Sequence, residues 1–239
     1  MPAYRSAADL KAMAKGQLLG KYPLAAATFM IVVMLTAALR LMSYVMIDSS
    51  RVAGLVISIV FSFGISLLLG VINVGVLFMA LKICCREAVH VNDIIHGFKS
   101  HPDKIIKIQA VLSGVELAAT LPVTIFWNLY ATSGEGDYLM MLVVFAIAAY
   151  VAYGFVSLVF SQVFFLFLDF EEKSAKELLM MSHAVMDGHK KRLFLLWLGF
   201  VPLYLLCALS CFIGFIWVLP YVKVTLANFY MDLMQGRGD

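Results

Sequence analysis

Hydrophobic positions along this chain neither alternate with polar ones nor keep to a single helical stripe; they come in unbroken blocks. The blocks run from Leu24 to Met46, Val52 to Leu81, Ile105 to Tyr130, Tyr138 to Leu168 and Leu193 to Tyr221. Each reaches the roughly 20 residues a helix needs to cross a hydrocarbon layer about 30 Å thick. Backbone amides in lipid must bond within their own segment, so helix is the expected state. The last block is interrupted by Pro202, by residues 211–214 and by Pro220, and apolar positions continue past Tyr221 towards Met234. A tight turn near Ser210 to Gly214 would divide it in two. The expectation is an all-α polytopic transmembrane bundle of six spans, five being the alternative count.

Charge placement orients the bundle. Lys and Arg crowd the N-terminal segment (Arg5, Lys11, Lys15, Lys21), the link after the second block (Lys82, Arg86, Lys99, Lys104, Lys107) and the link after the fourth (Lys173, Lys176, Lys190, Lys191, Arg192). The positive-inside rule makes these segments, and the N-terminus, cytoplasmic. The short links Ile47 to Arg51 and Ala131 to Asp137 then face outward. With six spans a C-terminal tail bearing Lys223 and Arg237 returns to the cytoplasm; with five it does not.

The cytoplasmic segments carry helix signals of their own. Ser174-Ala175-Lys176-Glu177 has the form of a capping box, and Ala175, Leu178, Ser182, Val185 and Met186 recur at helical spacing up to Gly188. Ser6 to Asp9, then Leu10, Met13, Ala14 and Leu18 up to Gly20, follow the same plan. Val91 to His96 before Gly97 reads as a shorter version. The chain is therefore expected to be one membrane domain of three quasi-repeats, about 5–81, 87–168 and 172–234, each an amphipathic cytoplasmic helix, a Gly stop and a transmembrane hairpin. Any helix at an inner leaflet would look similar, so common ancestry is not the sole explanation.

Composition narrows the classes. Of 239 residues 63% are hydrophobic and 14% charged, more apolar surface than a water-soluble core of this length can hide. The net charge of +3 is dispersed between blocks, which argues against a nucleic-acid partner. Cys84, Cys85, Cys207 and Cys211 read as packing residues, with acylation of the adjacent pair as the minor reading. No phosphate-cradling Gly loop, nucleophile elbow or His-Glu-x-x-His frame occurs, so no catalytic residue, cofactor or metal is expected.

Ionisable groups inside spans are the sharper lead, since a charge at mid-bilayer costs about 2.5 to 3.5 kcal/mol even on the lenient insertion scale. Glu116 stands eleven residues past Ile105, about 16 Å into the layer at helical rise. It is either a proton- or cation-linked site or a protonated packing carboxyl. Arg40, in the outer third of the first span, either snorkels to the headgroups or pairs with Glu116. Asn73 and Gln162 read as interhelical hydrogen-bond formers. Gly54, Ser58, Ser62, Ser66 and Gly70 fall four apart, a ridge of small residues that suits close helix packing better than a pore lining. Tyr22, Trp127, Tyr130, Tyr138 and Trp197 read as interfacial anchors.

Three stretches carry a family resemblance: Arg5, Leu10-Lys11, Ala14-Lys15 and Leu18 to Tyr22; Ser174-Ala175 through Leu178, Ser182, Met186, Gly188 to Lys190 and Arg192 to Phe194; and Gly214, Trp217, Leu219 to Tyr221 and Thr225 to Tyr230. Together they resemble an uncharacterised family of bacterial integral membrane proteins, domain of unknown function nine-seven-five. The resemblance is weakest between Ala110 and Phe160. It implies a multi-pass protein of a bacterial cytoplasmic membrane, with no established activity, substrate or catalytic residues. The preferred expectation is a non-enzymatic bundle acting through membrane lipids, a protein partner or a second copy of itself. The rival is a small-molecule or ion transporter working through Glu116.

Overall fold

The computed structural model describes residues 4–46, 52–211 and 213–236; the expected outer link at residues 47–51 and Arg237 lie outside the described residues. Helix dominates and no strand forms among them, so the protein is an all-α helical bundle. The helices are α1 (Ala7–Leu18), α2 (Tyr22–Met46), α3 (Val52–Cys84), α4 (His96–Lys99), α5 (Pro102–Ser133), α6 (Gly136–Val159), α7 (Val163–Asp169), α8 (Ala175–Met186), α9 (Lys190–Leu198), α10 (Val201–Leu209) and α11 (Phe215–Gln235).

Five helical stretches are long and apolar enough to cross a membrane: Tyr22–Met42, Ala53–Cys84, Pro102–Ser133, Gly136–Asp169 and Lys190–Leu209. Described residues 210, 211, 213 and 214 lie in turns, where the sequence suggests one, and α11 follows. At 21 residues α11 is about 31 Å long, a bilayer's thickness. Its composition is more polar than a lipid-facing span because its polar residues meet protein: Thr225, Asn228 and Asp232 are all buried. Arg192 at the start of α9 pairs with Asp232 near the end of α11 at 2.7 Å, so this last hairpin closes on itself.

The core lies at the end of the bundle where α1 and α8 sit. Leu10, Ala14 and Leu18 from α1, Leu178, Val185 and Met186 from α8, Phe165 and Phe167 from α7, and Phe229 and Tyr230 from α11 are all buried there. The opposite halves of α5 and α6 leave Trp127, Met140, Ile147 and Tyr150 exposed. That surface suits lipid, not water.

Both capped helices start as their sequences indicate. In α1 the Asp9 amide donates to Ser6 Oγ while the Ser6 amide donates to Asp9 Oδ2; in α8 Glu177 and Ser174 do the same. The Ser6 hydroxyl and then its amide hold the Asp9 carboxyl below its ordinary pKa, and the Ser174 amide and then its hydroxyl do so for Glu177. Gly20 at φ 78° and Gly188 at φ 76° end the two segments in the left-handed region that favours glycine.

The middle segment departs from that plan. Val91–Ile95 is a turn of 3₁₀ helix leading into the single turn α4, and the two form a strap across α3. Gly97 is no stop. It lets the strap approach: a Cβ there would run into the Val71 carbonyl, and one at Gly75 into the Ile94 backbone. Lys82 and Asp93, 3.1 Å apart, pin the strap, and His96 stacks on Phe78 with ring centres 3.8 Å apart.

Two further boundaries differ. The fourth apolar block is broken at residues 160–162, giving α6 and α7, and the link after α5 shrinks to Gly134 and Glu135. Near Pro202 the break falls at Gly199 and Phe200, where Lys11 of α1 donates to the Gly199 carbonyl at 2.7 Å and lies over the Phe200 ring.

Candidate functional site: a polar seam through the bundle

Helices α3 and α5 pack side by side. Towards the core end the fit is close: Ser66 and Ser113 hydroxyls are 2.9 Å apart, and Gln109 Nε2 donates to Ser113 Oγ at 3.0 Å. Gly70 makes room there, since a Cβ would press on the Gln109 side chain. Further out the helices part. Ser58, Ser62 and Ser66 then line a cavity of about 370 Å³ with Arg40 of α2 and Ser113, Glu116, Thr120, Thr124 and Asn128 of α5. The small-residue ridge thus packs at Gly70 and Ser66 and lines open space at Ser58 and Ser62, while Gly54 continues it half-buried towards the start of α3.

Helical periodicity explains the polar face of α5. Gln109, Ser113, Glu116, Thr120, Thr124 and Asn128 recur at steps of four or three, so they share one side. Several satisfy themselves locally: Thr120 Oγ1 donates to the Glu116 carbonyl, Thr124 Oγ1 to that of Thr120, and Asn128 Nδ2 to that of Thr124. Such bonds keep a polar face tolerable in an apolar medium. Pro122, inside α5, leaves the carbonyl four residues earlier without its helical donor.

A second cavity of about 360 Å³ opens on the core side of Glu116. It is lined by Asn73 of α3, Gln109 and Glu116 of α5, Tyr153 and Ser157 of α6, Phe160 and Gln162 in the break before α7, Trp197 of α9 and Lys223 of α11. Lys223 Nζ donates to Asn73 Oδ1 at 3.0 Å. Glu116 lines both cavities, and its carboxylate makes no hydrogen bond or ion pair among the described residues. Gln162 is 1% exposed and its amide oxygen has no hydrogen-bond partner among the described residues.

The structure therefore gathers the three sequence-selected polar residues along one seam: Arg40, exposed, in the outer cavity; Glu116 at the junction; Asn73, half-buried, in the inner one. One sequence reading is corrected. Lys223 is not a tail charge, because α11 carries it into the bundle and onto Asn73. Trp197 also walls the inner cavity, a place set by packing that the sequence did not reveal. The rest of the polar face on α5 went unread, although its helical spacing was there to see.

Opposite the seam's inner end, the first and last helices are tied together. Gln17 of α1 and Asn228 of α11 exchange amide hydrogen bonds at 2.6 and 3.1 Å. The Asp232 carboxylate accepts from the Arg5 amide and from Arg192, whose guanidinium lies over the Tyr4 and Phe229 rings. A smaller cavity of about 280 Å³ adjoins this knot, lined by Tyr4, Arg5, Arg192 and Phe229 among others.

Long apolar helices, lipid-suited flanks and polar residues turned inward define a multi-pass helical membrane protein. A family model described as "Protein of unknown function (DUF975)" matches residues 1–237, and the chain belongs to that family. No curated protein and no solved structure matches it.

Proposed function

We propose that the protein is a non-enzymatic transporter of the bacterial cytoplasmic membrane, with its N-terminus inside, that moves a small polar solute along the seam. The observation that carries this reading is the position of Glu116, shared by two cavities that open to either side of it. A carboxylate at that depth is costly, and the cost is offset when a passing cation, proton or solute answers its charge. The basic segments that hold α1, the strap and α8 support the orientation. The scarcity of embedded polar groups, which favoured a bundle acting only through lipids or partners, gives way to a continuous row of them: Arg40, Ser58, Ser62, Glu116, Asn73 and Lys223.

The test is uptake from an isotopically labelled polar metabolite extract into proteoliposomes, read by mass spectrometry. Wild-type vesicles should accumulate at least one labelled solute, and Glu116→Gln vesicles should not. Equal retention by wild type, variant and protein-free liposomes would remove the proposal.

A second reading, lipid recognition, is favoured by one observation of its own. Arg192 Nη1 is buried without a hydrogen-bond partner among the described residues, beside the cavity that Arg5 and Tyr4 line, a setting that suits an anionic headgroup. Native mass spectrometry decides it: anionic lipid should stay bound to wild type through delipidation and be lost from Arg192→Gln. Equal retention of zwitterionic lipid would count against this reading.

A further inference from the structure

Two opposite charges line the inner cavity without meeting. Glu116 presents a carboxylate that no described side chain answers, and Lys223 spends one ammonium N–H on Asn73, leaving two. Gln162 adds a buried amide oxygen with no donor. A cavity that keeps a carboxylate, an ammonium and an orphan acceptor apart holds three unmet demands. A bare cation would satisfy Glu116 and Gln162 and leave Lys223; a bare anion would do the reverse. One small molecule bearing both charges meets all three.

The remaining walls say what else that molecule carries. Apart from Gln109, Ser157 and Ser161 they are apolar or aromatic, Tyr153, Phe164, Phe165, Trp197 and Leu226 among them, so the part of the ligand away from its charges is itself largely apolar. The cavity, about 360 Å³, lies at the small end of ligand pockets. We propose that the inner cavity binds a small zwitterion of the amino-acid type with an apolar side chain, its carboxylate held by Lys223 and the Asn73 amide, its ammonium by Glu116 and Gln162. This deepens the transport reading by naming its substrate class, and it rests on that reading only for what happens after binding.

The experiment is equilibrium binding to the full chain in mild detergent, with a tritiated mixture of L-amino acids as the probe. Unlabelled leucine and phenylalanine should displace the label. Isocaproate and isoamylamine, which keep leucine's Cα and isobutyl side chain with one charge each, should compete at least about tenfold more weakly, since each forfeits one ion pair. Glu116→Gln and Lys223→Gln should each bind at least about tenfold more weakly, while Thr132→Ala, exposed at the far end of α5 and bonded only to carbonyls of its own helix, should bind as wild type does. Absence of retained label on wild type, or equal competition by the single-charge analogues, would overturn the proposal. Both outcomes are read on wild-type protein and stand even if a variant fails to fold. Retained binding without Glu116-dependent uptake would remove transport and keep the site; Glu116-dependent uptake of another solute without amino-acid binding would do the opposite.

Discussion

Replacing Gly75 by alanine tests how tightly the strap holds the inner end of α3, two residues from Asn73. A Cβ at Gly75 would run into the Ile94 carbonyl carbon and oxygen, well inside the 3.0 Å limit that real Cβ contacts respect. Both groups are backbone, so no rotamer change relieves the clash, and the strap must retreat by about 1 Å or more. Overpacking of this kind costs about 1 to 3 kcal/mol. A retreat of that size also stretches the Lys82–Asp93 contact, whose side chains are 17% and 12% exposed, for roughly 1 kcal/mol more. Better helix propensity returns up to about 1 kcal/mol, leaving a net loss of about 2 kcal/mol. Gly64, on the same helix, has open space around its Cβ position, so Gly64→Ala should be neutral or more stable by up to about 1 kcal/mol. Reversible unfolding in an SDS titration, followed by tryptophan fluorescence, measures both variants. If Gly75→Ala fell within about 0.5 kcal/mol of Gly64→Ala, close packing of the strap would be refuted.

The capping boxes give a pH signature. Because the folded values of Asp9 and Glu177 lie below the ordinary 3.8 and 4.5, their contribution is whole above those values, declines below them and is gone once pH falls through the folded values. Hydrogen exchange at the first turns of α1 and α8 should accelerate over that acid window in wild type; unchanged protection would contradict the boxes. Lys11→Met should cost about 1 kcal/mol and speed amide exchange around the α9–α10 break, since the Gly199 carbonyl loses its donor. Desolvation, and then Lys15, hold the Lys11 amine below its ordinary pKa. In a double-mutant cycle, Asp232→Asn with Arg192→Gln should show a coupling of about 1 to 2 kcal/mol in the same SDS titration; additivity would mean that the 2.7 Å pair is not maintained in solution.

What the sequence revealed was local. A capping box is an i to i+3 relation, so Ser6 with Asp9 and Ser174 with Glu177 could be read directly, as could a break between α10 and α11. The break between α6 and α7 has no comparable signal, because Phe160-Ser161-Gln162 contains neither Gly nor Pro and its interruption is decided by packing. Gly97 shows the limit of a motif: the residue that resembles a stop is required instead by its approach to the Val71 carbonyl, a contact between segments far apart in the chain. Lys223 could have been found. Once the last block is divided, it stands about 12 Å along the new helix, too deep for a tail charge. Its pairing with Asn73 across 150 positions could not.

The lashing of α1 to α11 bears on biosynthesis. Leu10, Ala14 and Leu18 are made first, yet much of the surface that shelters them, along with the Asn228 that meets Gln17, is made last. While the intervening polypeptide is threaded into the bilayer, the nascent leading helix must wait undocked. Chains arrested before Asn228 should therefore be far more open to protease near Leu10 than finished ones.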